Sequence, residues 1–267
     1  LVGSEMCIRD SFNIDHKATK WLDLGLKATV GYSKTNFADP EAGAGRQNWG
    51  NPWFTTLLAY PYESPDDWYN VDNPTLITKY YDRETGRLKT VASVYAKASI
   101  TDWLSVKTNF GLDFMYNRNV STLHRDHPNA QQNHGYYGQT SSELFRYTWT
   151  NTINVNKDFA NGHSLNAVAG MEMFQGKWYT SNFTGYDLNS DMMQSPAGIG
   201  DKSGSSLFPP SIGGGRTMSN LMSFFAQASY SIANKYNFSA SLRHDTSSKF
   251  YEDNASATFW SVGASWL

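Results

Sequence analysis

Cysteine is almost missing from this sequence, and so are long apolar runs and any excess of positive charge. Its one cysteine, Cys7, excludes an intrachain disulfide framework and a cysteine-based zinc site. No stretch approaches the ~18 consecutive apolar residues that a membrane-crossing helix needs, so any passage through a bilayer falls to strands. Lys and Arg number 22 against 24 Asp and Glu, a net charge of -2 with no clustered basic footprint, and a nucleic-acid partner is discounted. The glycine-rich stretch at residues 211–219, SIGGGRTMS, lacks a Gly-Lys-Ser/Thr ending and makes no phosphate cradle. It reads as a flexible outer loop.

Aromatic residues, by contrast, make up 15% of the chain, with 9 Trp and 16 Tyr, while mean hydropathy is only -0.53. That pairing is odd for a soluble enzyme and suits a barrel in which polar and apolar side chains alternate. The alternation is explicit in FFAQASYSIANKYNFSASLRHD, residues 224–245. Phe224, Ala226, Ala228, Tyr230 and Ile232 alternate with Phe225, Gln227, Ser229 and Ser231. After three residues the pattern restarts at Tyr236, Phe238, Ala240 and Leu242, which predicts a hairpin of two half-apolar strands.

The same period of two recurs along the chain, at Leu22, Leu24, Leu26, Ala28, Val30 and Tyr32, and again at Val94, Ala96, Ala98 and Ile100. Leu104, Val106, Phe110, Leu112 and Phe114 continue it, then Tyr147, Trp149, Ile153 and Val155, then Leu165, Ala167, Ala169, Met171 and Met173. With a short opening strand at Phe12 and Ile14 and a last one through Trp260, Val262, Ala264 and Trp266, about nine strands are predicted. Residues 1–10, LVGSEMCIRD, lack this alternation and the layout of a signal peptide; they are read as a non-native tail and set apart from residues 11–267.

Connections alternate too. Short turns are expected near residues 16–20, 101–102, 157–163 and 233–235, and long loops near 35–89, 117–142, 181–219 and 244–256. Tight turns at one rim and long loops at the other are the pattern of an outer-membrane barrel. Charge obeys the same parity: Asp23, Lys27, Lys97, Lys107, Asp113, Arg146, Glu172 and Arg243 all take the polar series, an outcome of roughly one in a hundred if charge ignored face. They are expected to line a lumen, while Leu24, Val106, Phe110, Ala169 and Phe238 meet outer-membrane lipid. Trp21, Trp103 and Tyr236 follow three short turns, as an interfacial girdle or as hairpin-end packing.

Two segments carry a resemblance to a known family. Residues 223–250, SFFAQASYSIANKYNFSASLRHDTSSKF, resemble the hairpin of SusC/RagA-type TonB-dependent outer-membrane transporters, matching at Ser223, Phe224, Phe225, Tyr230, Tyr236, Leu242, Arg243, Asp245, Ser247, Ser248 and Phe250. Residues 13–25, NIDHKATKWLDLG, resemble that family's early-barrel segment. The resemblance implies an all-β, antiparallel, up-and-down transmembrane barrel of 22 strands around a plug, of which this chain would supply an open part. It further implies import of oligosaccharides or peptides, driven through TonB by way of an N-terminal segment outside this sequence, with a SusD-like surface lipoprotein as partner. A leader, plug and final strands are likewise expected outside it. The competing reading is a secreted carbohydrate-binding β-sandwich.

No enzyme is expected. HRDHPNAQQNH, residues 124–134, places His127 and Gln131 where a kinase catalytic loop would want an apolar residue and Asn. Its His124, His127 and His134 are read as solvated loop histidines, and no catalytic, cofactor or metal residue is assigned. Trp49, Trp53, Tyr60, Tyr62, Trp68, Tyr80 and Tyr81, set among Gly, Asn and Asp, suit contact with sugar rings or with the partner lipoprotein, and both uses stay open.

Overall fold

The computed structural model describes residues 4–36, 79–127, 130, 132–159, 162–189, 195–200, 207–233, 235–251 and 255–266. Nine strands follow one another: β1 (Ser4–Lys17), β2 (Leu22–Asn36), β3 (Tyr81–Ser99), β4 (Leu104–Leu123), β5 (Tyr136–Phe159), β6 (His163–Tyr186), β7 (Ser211–Ile232), β8 (Tyr236–Ser247) and β9 (Ser256–Trp266). Each pairs antiparallel with the next in one sheet of order β1 to β9. No second sheet covers it among the described residues, which removes the β-sandwich reading.

Register turns the sequence parity into geometry, because directly paired residues share a face. Leu22, Ala98, Val106, Ile153, Ala169, Ala226, Leu242 and Trp260 stand in one row across eight strands. Rows on either side of it continue the apolar face, on which Phe110, Trp149, Ile153, Phe238 and Leu242 are each at least two-fifths exposed. Residues 22–32 of β2, at ~3.4 Å each and tilted by ~40°, rise roughly 27 Å, the height of the ~25 Å apolar band of a membrane barrel. Within the band Trp149 Nε1 donates to Thr108 Oγ1 at 2.9 Å, and Thr108 stands opposite Asn151.

Above the band this face turns polar. Lys34 pairs with Glu84 at 2.8 Å, and Arg118 donates to Gln139 from Nε and Nη2. Near the long-loop rim Leu188 bridges Ile199, and a small core of Tyr137, Leu188 and Ile199 packs against Val120 and Phe183.

Three expectations need correction. Strands run well beyond their apolar stretches, so that β3 starts at Tyr81, β4 ends at Leu123 and β6 at Tyr186. The glycine-rich residues 211–219 are strand rather than loop, paired with residues 176–184. Strand hydrogen bonds are main-chain, and a Cβ on Gly214 would stand 2.5 Å from the Thr180 carbonyl oxygen, so glycine suits this pairing. His127 is fully buried, edge-on to Tyr80 at 6.5 Å, rather than solvated. Ser4 to Asp10, inside the segment set aside as a tail, pair with Asn36 to Val30; such pairing needs only main-chain groups and leaves the origin of that segment untested.

A face inversion tests the assignment. In a bilayer-inserted barrel, Phe110→Lys should cost about 2–4 kcal/mol, whereas Asn109→Lys, one residue along on the polar face, should cost under about 1 kcal/mol. Urea titration of the full-length barrel in vesicles measures both, and equal costs would overturn the face assignment.

Candidate functional site

All eight charged strand residues singled out by parity occupy the face opposite the apolar rows. Asp23, Lys97 and Lys107 form one row across β2, β3 and β4. Beside them Tyr95 lies flat across Gly25, where a Cβ would stand 2.0 Å from the ring, and reaches over β2 to donate its hydroxyl to Asp15 Oδ1 at 2.7 Å. Lys107 Nζ sits 5.0 Å from the Tyr95 ring centre. Gly25 is therefore fixed by close approach, since any side chain there would lift the tyrosine off the wall. Lys27 stands between Asn13 and Ser93.

A second cluster spans β5 to β8. Arg243 Nε donates to Asp245 Oδ1 at 2.7 Å, its Nη2 donates to Ser223 Oγ at 3.0 Å, and Nη2 lies 3.6 Å from Glu172 Oε1. Thr150 Oγ1 donates to the other Glu172 oxygen at 3.2 Å. Ser223 is completely buried beneath this group, and Phe225 lies across Gly170 with the Arg243 guanidinium 5.9 Å from its ring centre. One cation thus organises two carboxylates and a buried hydroxyl across three strands. Asp113 stands directly opposite Arg146, and Asp113 Oδ1 is buried without a hydrogen-bond partner among the described residues.

Parity found Glu172 and Arg243 but missed Ser223, Asp245 and Thr150, which bind them together. Ser223 and Asp245 were legible only as members of the resembling hairpin, where they had no role.

Towards the long-loop rim the polar face becomes aromatic. Ser121 Oγ donates to Tyr81 OH at 3.1 Å and lies 3.3 Å from Tyr136 OH, while Tyr136 meets Tyr186 edge-on at 6.4 Å. Burial, reinforced by Tyr81, pushes the Tyr136 phenol well above its usual range. Tyr80 stacks at a tilt on His124, 5.2 Å away. His134 Nδ1 and Asp187 Oδ1, 3.1 Å apart, join two loops. Of the aromatic residues proposed for contact, Tyr80 and Tyr81 fall within this region, and Trp49, Trp53, Tyr60, Tyr62 and Trp68 lie outside the described residues. No group of three His, Cys, Asp or Glu that could hold a metal occurs among the described residues.

The family model for the TonB dependent receptor-like beta-barrel matches residues 12–267. Among solved structures, the RagAB peptide transporter has a TM-score of 0.80 at 20% identity over 97% of this chain and 30% of that one. The RagAB peptide importer in its closed-closed state gives 0.80 at 18% identity, again over 97% and 30%. BauA, the ferric preacinetobactin receptor of Acinetobacter baumannii, gives 0.53 at 13% identity over 98% and 37%. The chain thus spans about a third of the length of these structures. No curated protein matches it.

Two measurements probe the polar face. Replacing Arg243 by Ala strands two carboxylates and the Ser223 hydroxyl and should cost about 1–3 kcal/mol; a cycle with Glu172→Gln should show coupling of about 1 kcal/mol, and strict additivity would disprove the network. For Tyr136, a raised phenol pKa means its contribution is full below the ordinary value near ~10 and is lost as pH climbs through the folded value. Phenolate absorbance should show a late-ionising tyrosine that Tyr136→Phe removes.

Proposed function

The chain belongs to the TonB-dependent receptor-like β-barrel family, and from that premise we propose that it forms part of the wall of an outer-membrane importer of oligomeric nutrients, oligosaccharides or peptides. One observation carries the reading: a single sheet divides into an apolar face with a bilayer-height band and an opposite face holding every one of the eight parity-selected charges. The family is one of the outer membrane, and in this reading the apolar rows meet lipid while the charged rows face the lumen.

The lumen wall supports transport rather than chemistry. Some of its ionic groups are tied into side-chain networks, Arg243 with Glu172 and Asp245, and Asp15 with Tyr95, beside flat aromatic rings. Import of this kind draws on TonB, and a SusD-like surface lipoprotein at the long-loop rim fits the resemblance of the β7–β8 hairpin. The RagAB structures, described as those of a peptide transporter, support peptides as one substrate class through likeness of fold. The tyrosine cluster of Tyr81, Tyr136 and Tyr186 offers apolar ring faces beside hydroxyls and suits either oligomer.

Deletion of the gene encoding the full-length protein should abolish growth on one oligosaccharide or peptide mixture as sole nutrient, and inactivation of TonB should reproduce the defect. Growth unchanged across such nutrients, or an uptake defect indifferent to TonB, would overturn the importer reading.

A further inference from the structure

The polar face is not polar throughout. Lys89, Met115, Leu144 and Trp178 pair directly in turn across β3 to β6 and stand in one row on it. Met115 and Leu144 are half-buried, while Trp178 is 53% exposed. An open indole beside two flexible apolar side chains, on a face otherwise rich in charges, amides and hydroxyls, offers contact to apolar matter that water does not supply.

The next row towards the long loops is polar and is headed by a second cation. Arg87, Asn117, Ser142 and Thr180 pair in turn, with Ser142 Oγ and Thr180 Oγ1 3.4 Å apart. Arg87 Nε donates to Asn117 Oδ1 at 2.9 Å. That bond holds the guanidinium by its inner N–H and leaves both Nη groups without a hydrogen-bond partner among the described residues, a fork of the kind that grips a carboxylate. Lys89 stands two residues along β3 on the same face, and both cations are exposed. Neither has a carboxylate within ion-pair distance among the described residues. Asp113, diagonal to Lys89 on this face, stands opposite Arg146.

Resting on the importer reading, we propose that these two rows form a binding site for the carboxyl-terminal end of a short peptide. The terminal carboxylate lies on Arg87 and Lys89, apolar side chains lie along Met115, Leu144 and Trp178, and peptide groups lie beside the Ser142 and Thr180 hydroxyls. Length agrees with this. Three strand spacings of ~4.8 Å separate Lys89 from Trp178, roughly 14 Å, which is about four extended residues at ~3.4 Å each. A neutral oligosaccharide carries no charge for the fork, and a uronate has no flexible apolar side chain for Met115 and Leu144. Lys89 also pairs with Gly31, near the long-loop end of the apolar band, which in the importer reading is the end where a solute enters.

The test uses the full-length protein in detergent. It is incubated with an equimolar pool of tetrapeptides of Ala, Leu and Phe, with the same pool as carboxyl-terminal amides, or with tetragalacturonate, and retained ligand is counted by native mass spectrometry. Free acids should be retained about tenfold over amides and over tetragalacturonate. The double variant Arg87→Gln, Lys89→Gln should abolish the preference for acid over amide, whereas Trp178→Ala should lower retention of both by about fivefold. Lys89→Gln alone, which removes no hydrogen bond among the described residues, should lower the preference about threefold and reports even if the double variant misfolds. Equal retention of acids and amides, retention of neither, or a preference that survives the double variant overturns the site. Retention of tetragalacturonate in place of the peptides overturns the peptide assignment and leaves the importer reading standing, while uptake indifferent to TonB removes that reading whatever the binding result.

Discussion

Hydrocarbon offers a peptide group nothing to bond with, and that single fact governs this chain. Every main-chain N–H and C=O within the band must find its partner in a neighbouring strand, since an unpaired group there costs several kcal/mol. The response is an unbroken meander in which each strand pairs with the next, the strands running from eleven residues in β9 to twenty-four in β5 and β6. Once the backbone is satisfied in that way, side chains have only two directions to point, and lipid and water divide them. Two polar groups that lie within the band on the apolar face, the Thr108 hydroxyl and the Trp149 indole, obey the same rule by bonding to each other.

That division explains why the band was legible and the rest was not. Between residues 22 and 32, or 104 and 114, one face is apolar but for Thr108 and the other admits polar groups, so alternation is written into the residues themselves. Above the band both faces meet water. In β4 the outward positions after Tyr116 are Arg118, Val120 and Thr122 and the inward ones Asn117, Asn119 and Ser121, and no period of two survives although the hydrogen-bonded ladder continues to Leu123. Residues 211–219 are the extreme case. Ser, Gly and Arg there satisfy no rule of strand propensity, yet the main chain of β6 supplies a full set of partners. His127 was misread for a related reason, because its burial depends on Tyr80, forty-seven positions away in sequence.

The polar face shows the limit of parity in another way. Parity tells which residues share a face, but not which touch. Asp23 and Lys97 stand opposite each other, whereas the contacts that organise the wall are diagonal or reach across a strand: Arg243 to Glu172, Tyr95 to Asp15. These depend on side-chain length and on what lies between.

Glycine decides what lies between. Tyr95 reaches Asp15 because Gly25 leaves the intervening strand bare, and Phe225 lies low over Gly170, beneath the Arg243 guanidinium, for the same reason. A ring laid flat over a glycine covers main chain that would otherwise be exposed, and it keeps bulk from projecting off the polar face. Charge is then presented on top of the ring, by Lys107 over Tyr95 and by Arg243 over Phe225. Glycine, ring and cation thus form a repeated three-layer unit on the polar face. Its effect is a face that is smooth in relief yet charged in character.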